Sequence, residues 1–68
     1  MEYIAEIDGG QGGSENFTAD SAPEALLMAV EWAATGDWPE GGCTVIVTVT
    51  NEEDEGDTLS DSVEMEGR

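Results

Sequence analysis

The alternation of hydrophobic and polar positions changes its period along the chain, and each change marks an element. Residues Tyr3 to Asp8 alternate with period two: Tyr3, Ala5 and Ile7 share one side, and Glu2, Ile4, Glu6 and Asp8 share the other. That pattern predicts a half-buried strand. A glycine-rich stretch, GGQGG at 9–13, follows as a hairpin connection. Ser14 to Asp20 predicts a second short strand with Phe17 and Ala19 inward.

From Ser21 to Gly36 the period lengthens to that of a helix. At about 100° per residue, Ala22, Leu26, Ala29, Val30 and Ala33 fall on one face. Leu27 and Ala34 flank it on one side, Ala25 and Trp32 on the other, with Glu24, Met28, Glu31 and Thr35 towards water. Ser21 and Glu24 have the spacing of a capping box, and Pro23 sits in the first turn, where its missing N–H costs nothing. Gly36 is expected to end the helix in the left-handed conformation. The buried stripe is made mostly of small side chains, so the helix can lie close against a sheet.

Trp38 precedes Pro39, which favours an extended backbone. Cys43 to Thr50, CTVIVTVT, predicts a central strand, with Cys43, Val45, Val47 and Val49 on one face and Thr44, Ile46, Thr48 and Thr50 on the other. Asn51 to Asp57, NEEDEGD, is expected to be an acidic turn. A last strand is expected from about Thr58 to Glu66, offering Leu59, Val63 and Met65 to the core. The order is ββαββ. It predicts a single α+β domain over residues 1–68, a four-stranded antiparallel sheet with one helix packed on one face. The order of strands within the sheet is left open.

Length limits what holds such a domain together. A chain of 68 residues buries only about 60% of its unfolded surface. One cysteine excludes an internal disulfide, and no Cys/His cluster is present to hold zinc. Monomer and dimer both remain open, a dimer being one remedy for a small core. No apolar run approaches the roughly 20 residues that span a bilayer, and the acidic MEYIAEID start argues against a secretory or mitochondrial leader. The expected location is the cytoplasm.

Charge changes the picture most. Seventeen Asp and Glu face a single basic residue, Arg68, with neither Lys nor His, for a net charge of −16. A body with an expected radius of gyration of roughly 11 Å is comparable to a Debye length of about 10 Å at 0.1 M salt, so these charges repel one another and destabilise the compact state. Direct nucleic-acid binding is excluded, because it needs Lys and Arg to neutralise phosphates. Anionic membranes and phosphorylated substrates are disfavoured for the same reason. The expected partner is basic.

The same composition argues against catalysis. With neither His nor Lys, acid–base work would fall to carboxylates, Tyr3 or Cys43. No base stands ready to activate Cys43, which reads as a small apolar residue at a strand start. No enzyme and no cofactor are expected. The Gly10-x-Gly12 pair has Glu15 in place of the third glycine of a phosphate-binding fingerprint. Asn16-Phe17-Thr18 fits a glycosylation sequon and is read as chance. NEEDEGDTLSDS can be laid on a calcium loop with Asn51, Glu53 and Glu55 as ligands and Gly56 at the sixth position, but Ser62 stands where the bidentate Glu belongs. No metal site is expected. Trp32 and Trp38 are read as packing residues, with an anchoring role for a partner as the alternative.

What remains is the placement of the acids. Glu2, Glu6 and Asp8 share one face of the first strand, and Glu64 and Glu66 share one face of the last. Same-face neighbours two apart lie about 6.6 Å from each other, of the order of the spacing of phosphates along a nucleic-acid strand. With Glu52, Glu53, Asp54, Glu55 and Asp57 in the acidic stretch and Glu24 and Glu31 outside the helix, these twelve carboxylates are the candidate partner-binding residues. A protein that grips DNA through Lys and Arg would meet them as a decoy.

Size, acidity and the ββαββ order, carried by stretches such as CTVIVTVTNEEDEGD and SAPEALLMAVEWAATGDWPEGG, together resemble the small phage-encoded anti-CRISPR proteins that block type I surveillance complexes. The chain is most similar to those acting on type I-C, such as the short acidic inhibitors from Pseudomonas mobile elements. The resemblance covers the whole chain and implies a non-enzymatic inhibitor, a DNA mimic that occupies the DNA- or PAM-binding groove of a Cascade complex. It assigns no residue, so the candidates are those placed by the strand and helix faces. Two other readings stay open. One is a halophile-type accessory protein whose acidity serves solubility. The other is an interaction subunit docking through Trp38 and a sheet edge.

Overall fold

A computed structural model describes residues 1–9 and 13–67. Strands β1 (Glu2–Asp8) and β2 (Ser14–Thr18) precede helix α1 (Ala22–Ala34), and strands β3 (Cys43–Asn51) and β4 (Asp54–Met65) follow it. The four strands form one sheet in the order β2-β1-β3-β4, every neighbouring pair antiparallel. The α+β architecture is the one the periodicity predicts. The order left open is resolved by β1, which pairs with β3 from Tyr3↔Asn51 to Asp8↔Ile46 and so lies inside the sheet.

The two inner strands explain where the core sits. Tyr3, Ala5 and Ile7 of β1 and Val45, Val47 and Val49 of β3 are buried on the face that α1 covers. Against them α1 buries Ala22, Ala25, Ala29 and Ala33. Four alanines let the helix axis approach the sheet, and the larger side chains wedge in on either side. Leu26 and Val30 pack half-buried on the β4 side, beside Val63. Trp32 packs towards β2, its ring 6.0 Å from that of Phe17 in an edge-to-face pair. The buried stripe is therefore centred closer to Ala25 than the sequence predicts. Met28, expected towards water, packs half-buried against the core, and Leu27 is left 64% exposed.

Both helix ends are held by side chains. Ser21 is the N-cap and its hydroxyl accepts from the Glu24 amide, while the Glu24 carboxylate accepts from the Asp20 amide at 3.3 Å. This is the predicted capping box, with the reciprocal bond made one residue earlier. At the other end Gly36 is not left-handed: the C-cap is Thr35 in the right-handed region. The Thr35 hydroxyl donates to the Trp32 carbonyl at 2.7 Å, and the Trp38 indole N–H donates to the Ala33 carbonyl at 2.7 Å. These two side chains add to the Thr35 and Gly36 amides, which donate to the same Trp32 and Ala33 carbonyls at 3.1 Å, so the end is closed without a left-handed glycine.

The acidic stretch also differs from expectation. β3 runs through Asn51, only Glu52 and Glu53 form the turn, and β4 begins at Asp54. Local bonds tighten this connection. The Asn51 side-chain oxygen accepts from the Glu53 amide at 2.9 Å, and the Glu52 amide donates to the Glu2 carbonyl at 3.0 Å. A register shift between Thr50 and Asn51 accommodates the tight turn. The glycine-rich connection lies partly outside the described residues. Its flanks, Gly9 and Gly13, both have positive φ, and the Ile7 amide donates to the Gly13 carbonyl at 3.0 Å.

Candidate acidic interaction surface

The face of the sheet opposite α1 carries no covering element among the described residues, and its side chains follow from the register. Reading across the strands, Ser14, Glu6, Thr48 and Ser60 form one row, and Asn16, Ile4, Thr50 and Thr58 form the next. Asp8, Ile46 and Ser62 form a third, with Thr44 beside Glu64 beyond it. The Thr48 and Ser60 hydroxyls are 2.8 Å apart and those of Thr50 and Thr58 3.1 Å apart. The Thr18 hydroxyl donates to the Glu2 carboxylate. This face is a hydroxyl field, interrupted by Ile4 and by Ile46, which is 46% exposed. Glu6 stands within it, between Ser14 and Thr48, while Glu2, Asp8 and Glu64 stand nearer its borders.

The nominated acids therefore divide into groups. Glu2, Glu6 and Asp8 line β1 on the open face, and Glu64 faces the same way from β4. Glu52, Glu53, Asp54 and Glu55 are exposed at the end of the molecule where the Glu52 amide meets the Glu2 carbonyl. These four extend the acidic surface of β1 around that end. Glu66 is exposed just beyond β4. Glu24 and Glu31 lie on the outer side of α1, across the molecule from the open face, so the structure does not gather them with the others.

Asp57 stands apart. It is half-buried, and its carboxylate accepts from the Tyr3 hydroxyl at 2.6 Å and from the Asn51 amide nitrogen at 3.2 Å. The Tyr3 hydrogen bond, then the Asn51 bond, hold its carboxyl below the ordinary carboxylate value. The same bond, reinforced by burial and by the charge of Asp57, pushes the Tyr3 phenol above its ordinary value. Tyr3 is fully buried and Asn51 is 6% exposed. This trio ties β1, β3 and β4 together beneath the acidic turn. The alternation of β1 points Tyr3 inward, but its partner lies 54 residues away. The only signal in the sequence was a buried phenol in need of an acceptor.

Shape and charge combine into a single quantity. The Cα body measures 37 × 16 × 16 Å, with a radius of gyration of 11.7 Å. A net charge of −16 along 37 Å is about one charge per 2.3 Å of long axis. Duplex DNA carries one per about 1.7 Å.

The remaining candidates take structural positions. Cys43 is half-buried at the start of β3, opposite Met65. Trp32 and Trp38, both half-buried, line a small hollow with Ile7, Ala33 and Asp37. Among the described residues, no three Cys, Asp or Glu side chains converge to hold a metal ion. The stretch laid on a calcium loop is mostly strand, so its side chains alternate between the two faces of β4. No helix of the described residues is long and apolar enough to cross a membrane.

Comparison of the chain with protein-family models, curated proteins and solved structures gives no match.

Proposed function

We propose that this protein is a non-enzymatic inhibitor that acts as an acidic DNA mimic, occluding the basic DNA-binding groove of a nucleic-acid-handling machine. The observation that carries the reading is the linear charge density, about one net charge per 2.3 Å of a narrow rod. A groove lined with Lys and Arg to hold a duplex is matched in sign and approximate density by such a body. The open face and acidic turn are the surface to be presented: Glu2, Glu6, Asp8 and Glu64, with Glu52, Glu53, Asp54 and Glu55 around the end. Its inhibition is steric and electrostatic and needs no bond made or broken. The resemblance to type I anti-CRISPR proteins names the groove to try first, that of a Cascade complex.

The test is competition for DNA. Purified type I-C Cascade is titrated with this protein and a target duplex across a salt series. The expected result is loss of DNA binding, with an affinity for Cascade that falls as salt rises. Absence of association at every salt concentration removes Cascade as the target. Failure to displace duplex DNA from other basic DNA-binding proteins as well removes the mimic reading. If the protein then unfolds without molar salt, the halophile reading takes its place.

A further inference from the structure

β4 forms one edge of the sheet and is twelve residues long, so among the described residues its outer backbone groups have no strand partner on that side. Edges of this length are hazards for self-pairing and are usually short, covered or charged. Beside this one, on the helix side, a groove of about 420 Å³ runs between α1 and β4. Pro23, Leu26, Leu27 and Val30 form its helical wall and Val63 lies in its strand wall. Leu27 projects with 64% of its surface exposed. Asp61 shares the helix-side face of β4 with Leu59 and Val63, because it pairs with Val47 as they pair with Val49 and Val45. Asp61 is thus an acid on the apolar face of an edge strand, placed at the groove. Glu64 borders it on the other side.

We propose that the β4 edge and this groove take an extended segment of a basic protein, added as a fifth strand. Its apolar side chains would lie against Leu26, Leu27, Val30 and Val63, and a Lys or Arg would meet Asp61. Charge complementarity selects the occupant. A second copy of this chain brings sixteen net negative charges and would set its own acids against Asp61 and Glu64, an arrangement that repels. A basic strand reverses every one of those terms while using the same backbone bonds. Strand addition of this kind draws affinity from main-chain hydrogen bonds and specificity from alternate side chains. The inference shares with the DNA-mimic reading the sign of the partner's charge and the acids Asp54, Glu55 and Glu64 of β4. It rests on the β4 backbone edge and the apolar groove, which the mimic does not need, and so stands or falls separately.

The test uses the full chain, isotope-labelled, and three capped hexapeptides with serine at every second position. The other three positions share one face and carry valine, lysine and valine (the lysine–valine peptide), serine, lysine and serine (lysine–serine), or valine, glutamate and valine (glutamate–valine). Amide shifts on adding the lysine–valine peptide are expected to be confined to residues 54–65 and to 23–30 of α1. The lysine–serine peptide should bind at least about tenfold more weakly, from the loss of apolar burial, and the glutamate–valine peptide should not bind. Leu27→Asp, at a position 64% exposed, should weaken the lysine–valine peptide by about tenfold and leave both the fold and competition with DNA unchanged. Asp61→Asn should narrow the preference for lysine over glutamate. Equal binding of the lysine–serine peptide, or shifts spread over the open face, would mean ion condensation alone and overturn the proposal. So would concentration-dependent self-association through β4, which would make a second copy the occupant. DNA competition with a silent β4 edge overturns the groove and leaves the mimic standing.

Discussion

The two faces of the sheet are built from the same strands and have opposite chemistry. β3 places Val45, Val47 and Val49 against the helix, each 1% exposed or less, and Thr44, Ile46, Thr48 and Thr50 on the other side. Valine and threonine are nearly isosteric and both favour strands, so backbone preference is served equally on each face. Only the hydroxyl differs. Where methyls meet the alanines of α1 the face is sealed; where hydroxyls pair with Ser60 and Thr58 it stays open to solvent. Stability is thus concentrated on one side of the sheet, and the other side is free to carry a surface for recognition.

Breaking that comparison gives the largest effect. Val47→Asp puts an unpaired charge at the centre of the covered face and should abolish the cooperative thermal transition by circular dichroism. Thr48→Asp, one residue on, should still fold. If both fold alike, the division of labour between the faces is wrong.

Next in size is the recognition surface. Converting Glu52, Glu53, Asp54 and Glu55 together to Lys should lower affinity for a basic DNA-binding groove by at least about tenfold. The fold should survive, since exposed charges are reversed and self-repulsion is relieved. Glu24→Lys with Glu31→Lys, behind the open face, should lower it far less. Equal losses would assign the effect to net charge rather than to a surface.

A smaller effect sits at the seam between the faces, in the Tyr3–Asn51–Asp57 trio. Asp57 has a depressed value in the folded state, so its contribution is present above its ordinary value of 3.8 and is lost as the pH falls through the lower folded value. Asp57→Asn should therefore lower the melting temperature at neutral pH, by a margin that shrinks as the solution is acidified below pH 3.8. The Tyr3 phenol is raised above 10.0. Its contribution is complete below pH 10.0 and is lost as the pH climbs past that value, an alkaline limb that Tyr3→Phe should remove. A pH-independent gap for Asp57→Asn would mean that the carboxylate charge is not what the trio uses.

The smallest change should come from Thr48→Val, which extends the chemistry of the covered face onto the open one. It removes one hydroxyl pair with Ser60 and should alter stability by no more than about 1 kcal/mol. Solubility at high concentration, not melting, should record it.

Much of the fold is visible in the sequence because period two and period 3.6 are both written with few exceptions. β1, β3 and α1 follow from spacing alone. The errors come where tertiary contacts outweigh a local signal. Gly36 offers a left-handed cap, but its amide reaches the Ala33 carbonyl without that conformation, and the Trp38 indole donates to the same oxygen. Leu27 and Met28 exchange their expected exposures because four alanines, not the leucines, meet the sheet. NEEDEGD looks like a loop by composition, yet Asn51 and Glu52 bonds shorten the turn to two residues and hand Asp54 to the strand. The acids could be assigned to strand faces by alternation. Their division into an open face, an end and a helix back required the strand order, which local pattern does not carry.

That strand order also sets a sequence of events in time. β1 is made first, yet it must wait for β3, because Tyr3 pairs with Asn51, 48 positions later. Contacts so distant in sequence make folding slower than local helix formation. During that wait the unpaired edge of β1 and the apolar face of α1 are exposed to neighbouring chains, the state from which aggregates grow. Residues 1–51 carry nine carboxylates and no basic side chain, and this charge keeps such chains apart. The repulsion that weakens the finished domain thereby guards the nascent one until its partner strand arrives.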